Sequence, residues 1–188
     1  MKTGPFSLAA ENPAVPGCTL SGKVIQDTFV FSMAEGTDIS PESYPNHKVW
    51  LALHGSMRVV AEREIPLGAG QGYVTPVEAP VGIKADADSV YVEVSLRKET
   101  VMNPVLKDKE VFELKDLIPY QDGKIVNLDL LSSPKMKFVV MSFDEGTGLS
   151  EHSAPGEALV FALDGKAIIG YEGKEYPLRA GENFRFQK

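Results

Sequence analysis

Cysteine is nearly absent: Cys18 stands alone among 188 residues. No intramolecular disulfide can form, and no cysteine-based zinc motif is present. Cys18 lies in the loop-like stretch PAVPGC and reads as an ordinary thiol. No run of 18 apolar residues occurs, so no membrane partner is expected. The amino terminus, MKTGPFSLAAENP, has one lysine and no sustained apolar stretch, which argues against a secretory signal. Basic residues are too few for a phosphate backbone: 19 Lys and Arg face 26 Asp and Glu, for a net charge of -7. Nucleic-acid binding needs clustered Lys and Arg, so no nucleic-acid partner is expected. A reducing, cytoplasmic setting fits these absences. Long stretches with a helical period of 3.6 are also missing.

What the sequence does have is apolar content of 43% against 24% charged residues, enough for a globular core. It also has an internal repeat, the signal to read first. Residues 144–181 match residues 34–70 at an offset of 110. Shared positions include Glu35 and Glu145, Gly36 and Gly146, Thr37 and Thr147, Pro45 and Pro155, Ala52 and Ala162, and Gly55 and Gly165. One extra residue in the second copy then moves the offset to 111, where Leu67 matches Leu178 and Gly70 matches Gly181. Two similar units follow from this.

Short apolar runs between Gly and Pro turns predict strands. In the first copy these are residues 28–33 (TFVFSM), 49–53 (VWLAL), 56–61, 81–84 and 90–96 (VYVEVSL). The last alternates, with Tyr91, Glu93 and Ser95 on one face and Val90, Val92, Val94 and Leu96 on the other. In the second copy, residues 137–143 (KFVVMSF) repeat TFVFSM. Residues 1–22, rich in Gly and Pro, read as an irregular arm with room for one short strand. Residues 98–110, charged and holding Pro104, read as a linker. The units are then 23–97 and 111–188. Many short strands at close spacing point to a sandwich or barrel.

Residues 146–165 resemble the first motif of the cupin superfamily: Gly, five residues, His, any, His, three or four residues, Glu, six residues, Gly. Gly146, His152 and Gly165 stand at the matching places, and PLRAGENF is similar to the opening of the second motif. The resemblance runs over nearly the whole chain as two copies. It implies an all-β fold: two tandem cupin-type double-stranded β-helix jelly rolls, a bicupin. The second copy has no counterpart of the first copy's last two strands. Three readings stay open there: a shortened chain, filling by the N-terminal arm, or completion by a second chain. The resemblance also implies a homodimer.

Many cupins hold a divalent metal through three His and one Glu. Here Ala154 stands where the second His belongs and the Glu place falls on Ala158, one after Glu157. In the first copy Glu42 and His47 stand where His152 and Glu157 stand in the second, and Val81 replaces the His of the second motif. Carboxylate and imidazole suit a transition metal. The metal candidates are therefore His152 with Glu157 and Glu42 with His47, for Fe, Mn, Ni or Zn. Trp50, Phe161, Tyr171 and Met141, with Tyr44 beside them, are candidates for lining a ligand pocket. Core packing is the competing reading for each, because barrel interiors fill with side chains. Two functions follow from the resemblance. One is capture of a small polar organic ligand, such as a sugar or an organic acid. The other is a metal-dependent oxygenase, isomerase or lyase using His152 and Glu157.

Overall fold

A computed structural model describes residues 4–153 and 156–187. Ala154 and Pro155, which belong to the motif and the repeat, lie outside the described residues. After a helical turn, α1 (Leu8–Glu11), nine strands make up the first copy. They are β1 (Thr19–Ile25), β2 (Thr28–Met33), β3 (Asp38–Glu42), β4 (Lys48–His54), β5 (Ser56–Val60), β6 (Glu64–Gly68), β7 (Gln71–Val74), β8 (Val81–Ala85) and β9 (Ser89–Ser95). Two short strands follow, β10 (Val101–Met102) and β11 (Val111–Glu113). The second copy supplies β12 (Ile125–Ser133), β13 (Met136–Phe143), β14 (Ala158–Phe161), β15 (Lys166–Tyr171), β16 (Lys174–Arg179) and β17 (Asn183–Phe186). No described helix is long and apolar enough to cross a membrane.

The first copy folds into two facing antiparallel sheets, ordered β1-β2-β9-β4-β7-β11 and β3-β8-β5-β6. Side-chain alternation sorts each strand between two cores. On β4, Trp50 and Ala52 point between the sheets, while Val49 and Leu51 point outward. The inner core holds Met33, Met57, Val59, Leu67, Tyr73, Val81, Ile83 and Tyr91. The outer core packs Val30, Val92, Val94 and Val74 against Leu130, Leu131 and Val140 of the β12–β13 hairpin. Leu130 and Leu131 are adjacent, yet both are fully buried. The register slips between Asp129 and Leu131, and such a bulge lets neighbours share a face.

The repeat in sequence is a repeat in pairing. Trp50 lies opposite Tyr73 across β4 and β7, and Val160 lies opposite Phe184 across β14 and β17. Met57 pairs with Leu67 as Ala167 pairs with Leu178. Gly70 donates to the Ala52 carbonyl at 2.9 Å, and Gly181 to that of Ala162 at 2.8 Å. The Thr37 hydroxyl donates to the Ala34 carbonyl at 2.7 Å, as that of Thr147 does to Asp144. These turns need the left-handed conformation at Gly36 and Gly146, with φ of 79° and 78°.

Within residues 1–22 the start of β1 is the short strand allowed for there, whereas the helical turn α1 is an addition. Residues 111–113, assigned above to the second unit, pair with β7 of the first copy. The N-terminal arm does reach the second copy, where Phe6 pairs with Asn183. It joins β17, however, whereas the first copy's β9 lies between β2 and β4. The arm therefore does not take the place that a counterpart of β9 would take, between β13 and β14.

Candidate functional site at the mouth of the first barrel

The interior of the first barrel is packed with aromatic rings. Trp50 stacks on Tyr73 at a centroid distance of 5.9 Å and meets Tyr91 edge-on at 6.0 Å. Phe31 lies nearly parallel to Tyr91 at 4.8 Å. All three rings of Trp50, Tyr73 and Tyr91 are fully buried. Burial pushes the Tyr91 phenol up, helped by the charge of Glu93, and burial also raises that of Tyr73. The depth of the barrel is therefore filled. Two open grooves lie elsewhere on the surface. One of about 440 Å³ runs along Lys115, Ile118, Tyr120 and Asp164. The other, about 510 Å³, runs along Lys23, Asp27, Arg97 and Lys135.

One charge is set into this apolar wall. Glu93 is only 5% exposed, because the period of β9 turns it inward beside Tyr91. Its Oε1 accepts from Lys48 Nζ at 2.8 Å and from Ser95 Oγ at 3.2 Å. Its Oε2 accepts from the Trp50 indole Nε1 at 3.0 Å. The Lys48 ammonium also lies over the Tyr44 ring, 3.8 Å from its centroid, a cation–π contact. The Tyr44 hydroxyl in turn donates to Glu42 Oε2 at 3.2 Å. Burial, with the negative charge of Glu42 and then Glu93, pushes the Tyr44 phenol up to about 12. A carboxylate, an ammonium and an aromatic face thus meet at the rim, backed by the only tryptophan.

The residues singled out from the sequence scatter. Trp50 faces the barrel interior, but as a packed and hydrogen-bonded core residue. Tyr44 is at the rim. Phe161 packs on the outer core, and it is Val160, the repeat partner of Trp50, that shares a register pair with Phe184. Tyr171 joins an aromatic cluster of the second copy, edge-on to Phe184 at 5.8 Å and Phe186 at 5.3 Å. Met141 is exposed on β13.

Glu42 is exposed at the end of β3, while the His47 ring bonds elsewhere: its Nδ1–H donates to the Thr75 carbonyl at 2.6 Å. His152 and Glu157 are both exposed, and His152 Nδ1 bonds the nearby Ser150 carbonyl at 2.9 Å.

The metal that the resemblance implies can be tested against these residues. In the first copy its four places hold Glu42, Tyr44, Lys48 (the partner of Ala158 in the repeat) and Val81. An ammonium has no lone pair to give and valine has no donor, so this set does not fit. Among the described residues, no three or more His, Cys, Asp or Glu gather as a metal site. Reading motif positions alone missed Lys48 and Glu93. The signal was present: Glu93 is the one charge in VYVEVSL, on the face of Tyr91.

No family model matches this sequence, and no curated protein matches it. Among solved structures it is similar to a cupin 2 conserved barrel domain protein from Leptotrichia buccalis. Identity is 22% over 98% of this chain and 86% of that chain, with a TM-score of 0.82. It is also similar to a putative glyoxylate induced protein from Pseudomonas aeruginosa, at 15% identity over 85% of this chain and 64% of that chain, with a TM-score of 0.56. With its sheets, their pairing and these likenesses together, the chain has the all-β barrel fold of the cupins.

Proposed function

We propose that this chain is a tandem cupin-type protein that binds a small polar organic molecule at the mouth of the first barrel. The observation that carries the reading is Glu93, a residue only 5% exposed, whose carboxylate is set in an apolar wall and held by Lys48 and Trp50. A buried ion pair is often no more stabilising than apolar side chains of the same volume. Packing alone therefore gives little reason for it. A few convergent polar groups on an apolar wall is the usual make-up of a small-molecule site. The filled depth behind Trp50 keeps such a molecule at the rim, against Tyr44, Lys48 and Glu42.

The test is calorimetric titration of the full chain with monosaccharides, small mono- and dicarboxylic acids and small amines, beside a Glu93→Gln variant. Binding of one class, weakened at least about tenfold (roughly 1.4 kcal/mol) in the variant, is expected. No binding from any class, or binding indifferent to Glu93→Gln, sinks the reading.

A further inference from the structure

We infer that the rim of the first barrel is a seat for a primary ammonium group, and that the chain fills this seat with its own Lys48. Two features build the seat. The Glu93 side chain is 7% exposed, and a carboxylate so buried requires a counter-cation. The face of the Tyr44 ring attracts a cation, with its hydroxyl turned away to Glu42. The Lys48 ammonium meets both at once, 2.8 Å from Glu93 Oε1 and 3.8 Å from the ring centroid.

Lys48 is also placed to leave. It is the first residue of β4, and its side chain is 21% exposed while that of Glu93 is 7%. Its flexible four-carbon stem can turn to water, where an ammonium is strongly hydrated. Glu93 cannot follow from inside β9. A molecule that takes the seat must then bring a cation of its own. The matching class is a small primary amine, or the ammonium end of a zwitterion. Lys48 acts as a tethered competitor that keeps other cations out. The inference takes its location from the proposed function, but it needs no natural ligand to be known.

The experiment removes the tether and supplies the missing group. Lys48→Ala deletes propylammonium in effect, so the probe is n-propylammonium chloride, compared with sodium chloride at equal ionic strength. The variant is expected to melt below the wild type. The amine should raise its Tm by about 2–4 °C, a shift produced by ligand present at a few times its dissociation constant. The wild type should shift less, and the Lys48→Ala, Glu93→Gln double variant should not respond. No amine-specific shift, or an equal shift in the double variant, overturns the inference.

Should Lys48→Ala fail to fold, reductive methylation of the folded wild type, mapped by mass spectrometry, gives a second measurement. Lys48 should react more slowly than Lys107 and Lys137, whose side chains are 66% and 59% exposed, and should lose that protection in Glu93→Gln. Equal rates in the wild type overturn the inference. Amine rescue without any ligand in the calorimetric panel would leave the seat standing and sink only the proposed function.

Discussion

Phe6 pairs with Asn183 at the place in the second copy where Phe112 pairs with Gly72 in the first. Gly72 and Asn183 are repeat partners, 111 residues apart. The Phe6 and Asn183 backbones bond each other in both directions, at 3.0 and 2.7 Å. Each copy is thus extended by the segment that precedes the other: β11 runs along β7, and the N-terminal arm meets β17. The Asn183 side chain adds a bond that glycine cannot make, its Oδ1 accepting from the Leu8 amide at 2.9 Å.

Asn183→Ala leaves that amide without a partner in a site only 4% exposed. A loss of about 1–3 kcal/mol is expected, the cost of an unsatisfied buried donor. Urea unfolding at equilibrium measures it. A change below a few tenths would show that water replaces the side chain there.

Gly55 and Gly165 are repeat partners with similar backbones, φ of 79° and 71°, but different surroundings. A Cβ on Gly55 would lie 2.3 Å from the Asp88 carbonyl oxygen and 2.8 Å from Ser89 Cα, whereas one on Gly165 would meet nothing within 4 Å. Gly165→Ala should therefore cost only the left-handed penalty, about 1–2 kcal/mol. Gly55→Ala adds a clash with backbone and should cost clearly more. Parallel denaturation curves test the order, and equal losses would contradict it.

Lys48→Met keeps much of the stem but strips Glu93 of its cation. A loss of about 3–5 kcal/mol is expected for a buried charge left unpaired. Adding Glu93→Gln, which removes the charge itself, should return a good part of it. Trp50, the sole tryptophan, bonds this carboxylate, so its fluorescence reports the change locally. Independent, additive effects of the two substitutions would argue against the pairing.

The Tyr44 phenol gives a pH signature. Its pKa rises from 10.0 to about 12 in the folded chain, chiefly through burial and then the charge of Glu42. Below pH 10 both states keep the proton and the stability is fully present. Between pH 10 and about 12 the unfolded chain binds fewer protons, so stability falls as pH rises. Tyr44→Phe should make that fall shallower, and ultraviolet titration should show one late-ionising phenol fewer. An unchanged titration would place the late phenols elsewhere.

Much of this architecture is local, which is why it was legible. Strand alternation put Tyr91, Glu93 and Ser95 on one face before any partner was known, because successive side chains must point to opposite sides. The glycines of the repeat marked turns that only a residue without Cβ adopts freely. Motif spacing led to the cupin fold for the same reason.

The sequence by itself therefore determined an all-β chain built on a repeat, with a single cysteine and with Glu42 and Val81 where the cupin motifs place histidines. What only the tertiary structure decided was company. It set Lys48 against Glu93, which are 45 residues apart in the chain. It buried Trp50 as a core residue and left Met141 exposed. It sent β11 to the first sheet and Phe6 to the last strand. Pairing between sheet edges and the approach of two side chains depend on long-range packing, and local pattern carries no record of which distant strand will lie alongside.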